Sequence, residues 1–214
     1  ITVEEYGLKF AVDVTAPLGT GLFPDLREGR RAVADRAAGR RVLNLFSYTG
    51  AFSVWAARAG ASEVVSVDLA AKAHARCRRN LELNGLPEKG HELIAGDTFK
   101  VLAKMAERKR RFDLIVLDPP SFSQAKGRVF SVSKDYRELV QASLEVAAPD
   151  ALIACISNTL KLPVEDLDRA IGEAAYRAGR AVRVVERRGL PADFPIPAGF
   201  IDGHYLKFFL CAVA

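Results

Sequence analysis

The sequence has little with which to staple itself together. Its three cysteines, Cys77, Cys155 and Cys211, are odd in number, and none sits in a C-x-x-C pair. That argues against a disulfide framework or a structural zinc site and suits a reducing cytoplasm. The three histidines, His74, His91 and His204, are scattered and make no metal-binding set. No apolar run approaches the roughly 18 residues a membrane-spanning helix needs. There is no internal repeat, low-complexity tract or interdomain linker, and no G-x-G-x-x-G fingerprint. The chain begins at Ile1 without a methionine or a signal-peptide pattern. A fragment trimmed from a longer protein would begin this way, and a further upstream domain is compatible with it.

What is present is enough for one domain with at most a small appendage: 214 residues, 50% hydrophobic and 27% charged. The net charge is +5 and the pI about 9.2. Basic residues cluster at Arg27/Arg30/Arg31, Arg76/Arg78/Arg79, Arg108 to Arg111, Lys126/Arg128 and Arg187/Arg188. Such an excess favours a polyanionic partner, although solvated helix faces explain at least half of these clusters.

Residues 1–14 alternate around Gly7 and predict a small β-hairpin. Pro24 and Asp25 open a basic helix that Gly39 ends. From residue 41 strand and helix patterns alternate. Strands are expected near 41–46, 63–68, 91–95, 112–118, 151–156, 181–187 and 204–213. Helices are expected near 51–59, 70–84, 97–109, 134–147 and 164–178. This alternation predicts an α/β, Rossmann-like seven-stranded sheet covered on both faces. The sheet should be mostly parallel, with an antiparallel edge made by the last two strands. The expected division is a hairpin extension over 1–23 and a main domain over 24–214.

The polar residues fall at the strand ends. Val42 to Phe46 is a buried-strand run, Ser47 to Gly50 a turn of small and polar residues, and Ala51 onward a helix. Strand, tight turn and helix can hold the polar part of a nucleotide-like ligand on backbone N–H groups. The next strand ends in Asp68, where a carboxylate can accept from ribose hydroxyls. With Gly50 as its one glycine, the turn provides poorly for a pyrophosphate. A ligand with a ribose and an amino-acid tail fits better, and S-adenosylmethionine is that ligand. Gly96-Asp97-Thr98, Asp118-Pro119-Pro120 and Ser157-Asn158-Thr159 end further strands. In an open α/β sheet these ends line one crevice.

Asp118-Pro119-Pro120-Ser121-Phe122 adds chemistry to that crevice. The two prolines forbid helix and fix an extended turn with outward carbonyls. Beside them Phe122 can stack on a planar ring, an arrangement suited to an unstacked base facing a methylsulfonium.

At this point the sequence resembles class I S-adenosylmethionine-dependent methyltransferases. Within them it is similar to the bacterial large-subunit (23S) ribosomal RNA enzymes acting on cytosine C5 or guanine N7. The resemblance rests on the Thr20–Arg31 stretch, the Asn44–Phe52 turn, Asp68, Asn80-x-x-x-Asn84-Gly85, Gly96-Asp97-Thr98, Asp118–Phe122 and Tyr205-Leu206-Lys207. It spans nearly the whole chain and implies ribosomal RNA as partner. It implies that Phe46, Ser47, Tyr48, Thr49, Gly50, Ala51 and Phe52 cradle the methionine tail. Asp68 with Leu69 would take the ribose, and Gly96, Asp97 and Thr98 would border the adenine. Asp118, Pro119 and Pro120 would sit beside the methyl group, with Phe122 facing the target base. Asp25, Arg27 and Arg31 would fold over the cofactor's mouth. Where the family pattern carries an aspartate in the first strand, this chain has Asn44.

Cytosine C5 and guanine N7 require different residues. C5 becomes nucleophilic only after a thiolate adds to C6, so a reactive cysteine must reach the base. In the cytosine-C5 relatives that cysteine follows a serine just past the fifth strand. Aligned on Ser157, this chain has Asn158 in the slot, and Cys155 lies earlier, inside an apolar strand. Guanine N7 already carries an in-plane lone pair and needs positioning alone. The guanine-N7 relatives carry Ser-Asn here, so the expectation is guanine N7, with Asn158 at the base edge. A cytosine-C5 enzyme using Cys155, a nicotinamide oxidoreductase and a non-catalytic RNA-binding remnant are the alternatives.

Overall fold

The apolar runs become strands because helices cover both faces of the sheet they build. A computed structural model describes residues 1–17, 19–87, 89–125 and 128–214, with the backbone alone at 123–125, 128 and 129. Lys126, counted above in a basic cluster, lies outside the described residues.

The chain opens with an antiparallel hairpin, β1 (Thr2–Glu5) and β2 (Leu8–Ala11). Tyr6 and Gly7 turn it at φ 48° and 82°, two positive values in succession as a tight hairpin turn demands. A 3-10 turn over Pro24–Leu26 runs into α1 (Arg27–Ala34), which stops short of the expected Gly39. Then follow β3 (Arg41–Leu45), α2 (Ala51–Arg58), β4 (Glu63–Asp68), α3 (Ala71–Leu83), β5 (His91–Ala95), α4 (Thr98–Glu107) and β6 (Phe112–Leu117). A second hairpin, β7 (Phe122–Ala125) with β8 (Arg128–Ser131), comes before α5 (Val132–Leu144). The chain closes with β9 (Ala147–Ser157), α6 (Val164–Ala178), β10 (Val182–Arg188) and β11 (Lys207–Val213).

The main sheet has seven strands in the order β10-β11-β9-β6-β3-β4-β5. β9, β6, β3, β4 and β5 are parallel, and β11 runs antiparallel between β9 and β10. The final strand therefore inserts one place in from the edge, leaving β10 outermost. Alternate residues serve opposite faces. Leu43, Val65, Ile115 and Ile153 join the core under α4, α5 and α6, whereas Val42, Val64, Leu114 and Ala154 join the core under α1 and α2. Full burial of each such Leu or Ile side chain contributes about 2 kcal/mol.

A third apolar cluster seats the N-terminal hairpin, through Leu8 and Phe10 against Val54, Cys77 and Leu81. The Asn80-x-x-x-Asn84 repeat on α3 holds it there. Asn80 Oδ1 accepts from the Ala11 N–H at 2.8 Å, and Asn84 exchanges bonds with the Lys9 N–H and carbonyl at 2.8 and 2.7 Å. These two asparagines thus satisfy the outer edge of β2, which would otherwise be open.

The β7–β8 hairpin was not anticipated from the sequence. Its signal is two short runs, Phe122-Ser-Gln-Ala and Arg128-Val-Phe-Ser, separated by Lys126-Gly127.

Candidate active site

From β3 the chain crosses to β4 and β5 on one side, then returns to β6 and β9 on the other. The reversal opens a crevice beyond the carboxyl ends of β3 and β6. A cavity of about 460 Å³ lies there, within the range of small-ligand sites.

The turn after β3 forms its floor. Phe46, Tyr48 and Gly50 take φ values of 56°, 48° and 76°. The two aromatic residues are in a region that side chains with a Cβ seldom adopt, so surrounding bonds must over-determine them. Asp68 Oδ2 accepts from the Tyr48 N–H at 2.8 Å, and the Val67 carbonyl accepts from the Ser47 N–H at 2.9 Å. Asn80 Nδ2 donates to the Thr49 carbonyl at 3.0 Å. Gly50 lies against α3, where an added Cβ would meet Cys77 Sγ at 2.1 Å. The same turn pins the loop that roofs the cavity. Tyr48 Oη donates to the Gly19 carbonyl at 2.6 Å and Thr49 Oγ1 to that of Gly21 at 2.5 Å.

Asp68 Oδ1 accepts from the Ala70 N–H at 2.8 Å, so each carboxylate oxygen holds one backbone donor and keeps a lone pair for a ligand. Asp97 caps α4, accepting from the Lys100 N–H at 3.0 Å. Behind the floor, Asn44 Nδ2 donates to Ser53 Oγ at 2.9 Å, and Ser53 shares a 2.7 Å bond with Ser66. Asn44 Oδ1, Ser47 Oγ and Asp25 Oδ1 are buried without a protein hydrogen-bond partner among the described residues, and all three residues line the cavity. Buried polar atoms left without a protein partner in this way are satisfied by ordered water or a polar ligand.

The opposite wall carries charge. Asp118 closes β6, and burial pushes its carboxyl up to about 7, with Asp25 reinforcing the shift and Arg30 opposing it. Tyr205 Oη donates to Asp25 Oδ2 at 2.9 Å, and burial beside that carboxylate raises the phenol to about 12. Arg30 is 2% exposed and forks onto Glu5 at 2.8 and 2.5 Å, while Trp55 Nε1 donates to the same carboxylate at 2.9 Å. The N-terminal hairpin therefore neutralises a cation in the cavity wall. Among the neighbouring arginines Arg27, Arg30 and Arg31, nothing in the sequence marks Arg30 as the fully buried one.

The cavity brings together most of the sequence-predicted residues. Asp25, Phe46, Ser47, Tyr48, Thr49, Ala51, Phe52, Asp68, Leu69, Gly96, Asp97, Thr98, Asp118, Pro119, Pro120 and Asn158 all line it. Arg27, Gly50 and Phe122 are not among its lining residues. Arg27 instead pairs with Asp193 and stacks 5.6 Å over Phe194. Phe122 stands 61% exposed at the start of β7. The aromatic ring that the second hairpin contributes to the wall is Phe130, 4% exposed and 5.7 Å from the Phe46 ring.

No cysteine faces this space. Cys155 is fully buried in the core, its thiol raised well above the ordinary range by a hydrogen bond to Cys211 and by burial. Cys77 is buried and pushed up to about 11 by desolvation. Such thiols do not ionise near neutrality and are poor nucleophiles. Among the described residues no cluster of three or more His, Cys, Asp or Glu forms a metal site, and no helix is long and apolar enough to cross a membrane. Many of the clustered arginines are in ion pairs, as with Arg110 to Glu63 and Glu92, Arg187 to Asp168, and Arg188 to Glu186.

A family model described as S-adenosylmethionine-dependent methyltransferase matches residues 1–204. The chain is 35% identical over 213 residues to ribosomal RNA large subunit methyltransferase I of Photobacterium profundum, covering all of this chain and 54% of that protein. With the enzyme of the same name from Aeromonas salmonicida it shares 35% over 207 residues, 97% of this chain and 52% of that one. The chain thus spans about half the length of these relatives. Among solved structures, SMU.776, described as a methyltransferase and complexed with SAH, superposes with a TM-score of 0.94 at 35% identity. That match covers 99% of this chain and 55% of the other. A methyltransferase from Agrobacterium tumefaciens, 22% identical with a TM-score of 0.78, shares the fold. Matched along nearly its whole length by the family model and by relatives above 30% identity, the chain belongs to the S-adenosylmethionine-dependent methyltransferases.

Proposed function

We propose that this chain is the methyl-transferring part of an enzyme that modifies a nucleobase of large-subunit ribosomal RNA, and that the target is guanine N7. The observation that carries the reading is that one cavity is bordered both by the nucleoside-type elements and by Asp118-Pro119-Pro120 and Asn158. The names of the relatives, ribosomal RNA large subunit methyltransferases, supply the substrate class.

S-adenosylmethionine would supply a methyl group on a sulfonium. Its tail fits the Phe46–Phe52 turn, where Ser47 Oγ and Asn44 Oδ1 await polar partners. Asp68 keeps lone pairs for ribose hydroxyls, and Gly96, Asp97 and Thr98 flank the remaining wall. Asp25 and Asp118 offer carboxyl groups near a cationic ligand. Asn158 presents both a donor and an acceptor, suited to orienting the edge of a base. The roof pinned by Tyr48 and Thr49 limits water. A ring nitrogen with a free lone pair then needs alignment and no proton removal.

Addition of a cysteine thiolate to cytosine C6 is the competing route. The burial of Cys155 and its raised thiol weigh against it. Nucleoside mass spectrometry of large-subunit rRNA treated with this chain and labelled S-adenosylmethionine separates the two. 7-Methylguanosine carrying the label is the expected product. 5-Methylcytidine, together with a stable adduct on 5-fluorocytosine RNA that Cys155→Ser abolishes, would overturn the assignment.

A further inference from the structure

β11 enters the sheet from the edge on which the cavity opens, and its first residue, Lys207, is in register with Ser157 of β9. Lys207 is 5% exposed, and its Nζ donates to the Thr159 carbonyl at 2.5 Å. Among the described residues it has no carboxylate partner, and burial lowers the pKa of the ammonium. A buried cation without a counter-charge costs a fold more than one hydrogen bond to a carbonyl returns. Thr159 lies in a half-exposed segment, where water would satisfy the same carbonyl. Stability alone therefore gives little reason for a lysine here.

What the ammonium holds is the segment that brings Asn158 to the cavity. Asn158, Leu160 and Lys161 are exposed, and Leu162 is the next buried anchor. Inside the segment the bonds are local: the Lys161 N–H to Thr159 Oγ1 at 3.2 Å and the Leu162 N–H to the Thr159 carbonyl at 3.5 Å. Neither ties it to another element.

We propose that Lys207 is a positioning residue for the base-facing segment, fixing Asn158 against the cavity through the Thr159 carbonyl. The proposal rests on the reading of Asn158 given above, and it assigns Lys207 no contact with cofactor or base. Lys207→Met keeps the length of the side chain and removes the buried charge. Hydrogen–deuterium exchange over residues 158–161 should then rise in the chain alone. Transfer to rRNA should fall roughly ten- to a hundredfold, as a displaced positioning group produces. Affinity for S-adenosylmethionine by calorimetry should not change, and the melting temperature should hold or increase. Combined with Asn158→Ala, Lys207→Met should add no further loss, because both act through one contact. Lys207→Gln, which keeps a donor, serves if the methionine variant does not fold and should show the smaller rise in exchange.

Unchanged exchange in the segment, losses that add in the double variant, or cofactor affinity falling in step with transfer would each overturn the proposal. Should the unaltered chain transfer no methyl group to rRNA, the functional reading fails, and the exchange experiment alone decides the role of Lys207.

Discussion

The two walls of the cavity are built differently. On the β3–β4 side, the turn is bonded on all sides: its backbone to Asp68 and Val67 of one strand and to Asn80 of α3, and its Tyr48 and Thr49 side chains to the roof loop above. On the β6–β9 side the loop segments have fewer tethers: two prolines stiffen the turn, the Ser121 carbonyl accepts from the Val132 N–H at 3.2 Å, Lys207 Nζ donates to the Thr159 carbonyl, and the side chains beyond stand out in solvent. Phe122 is 61% exposed and Leu160 50%. A wall fixed in advance suits a small ligand of constant shape. A wall with exposed aromatic and aliphatic groups suits a large partner that covers them on arrival. Under the proposed function, the contrast implies that binding of cofactor and of RNA can be damaged separately.

The largest effect should come where the walls meet. Asp118→Asn should reduce methyl transfer by about two to four orders of magnitude, the range for losing a preorganised charged group beside a reacting centre. The same change should stabilise the protein at alkaline pH. The Asp118 carboxyl titrates at the ordinary 3.8 in the unfolded chain and at about 7 in the folded protein. The folded state therefore binds the extra proton between those values, and stability falls as pH climbs through that window. Thermal melting should place Asp118→Asn above the parent at pH 8 and level with it below pH 4. Parallel melting curves across the range would show that burial is not what shifts the group.

Gly50→Ala tests the rigid wall. A Cβ there meets Cys77 Sγ at 2.1 Å on a backbone already at φ 76°, and should cost about 2–4 kcal/mol by overpacking and strain. Denaturant titration would measure it, and cofactor affinity should fall alongside. The open wall should respond in the opposite manner. Phe122→Ala and Asn158→Ala should each weaken transfer to RNA by about 1–3 kcal/mol, the scale of one lost base contact, with cofactor affinity intact. A matching loss of cofactor affinity would collapse the distinction between the walls. The smallest effect is expected from Cys155→Ser. Transfer measured at saturating substrate should persist, while stability drops by about 1–2 kcal/mol because a hydroxyl replaces a buried thiol. Abolished transfer in a folded variant would restore the covalent route.

Much of the fold was legible because parallel strands covered on both faces announce themselves as apolar runs, unbroken at Leu114–Leu117 and interrupted only by Asn44 at Val42–Leu45. The cavity-lining residues on the β3–β4 side were legible because they sit at strand ends, where a change in composition marks the turn. Phe130 was not, since its place in the wall depends on a hairpin whose pairing with β7 turns it inward. Arg30 was equally hidden: its neighbours Arg27 and Arg31 have the same chemistry, and its burial depends on Glu5, 25 residues away. Arg27 shows the converse, a motif residue whose partners, Asp193 and Phe194, lie far along the chain.

Composition and periodicity by themselves determined the layered α/β sheet and the edge at which its polar residues collect. These are local properties, set by side-chain size, backbone restriction and hydrogen-bonding capacity within a few residues. The tertiary structure alone decided which carboxyl group is pushed towards neutrality, which arginine is buried, and that Lys207 reaches the segment bearing Asn158. Those outcomes depend on desolvation and on partners distant in sequence, and both exist only once the chain has closed on itself.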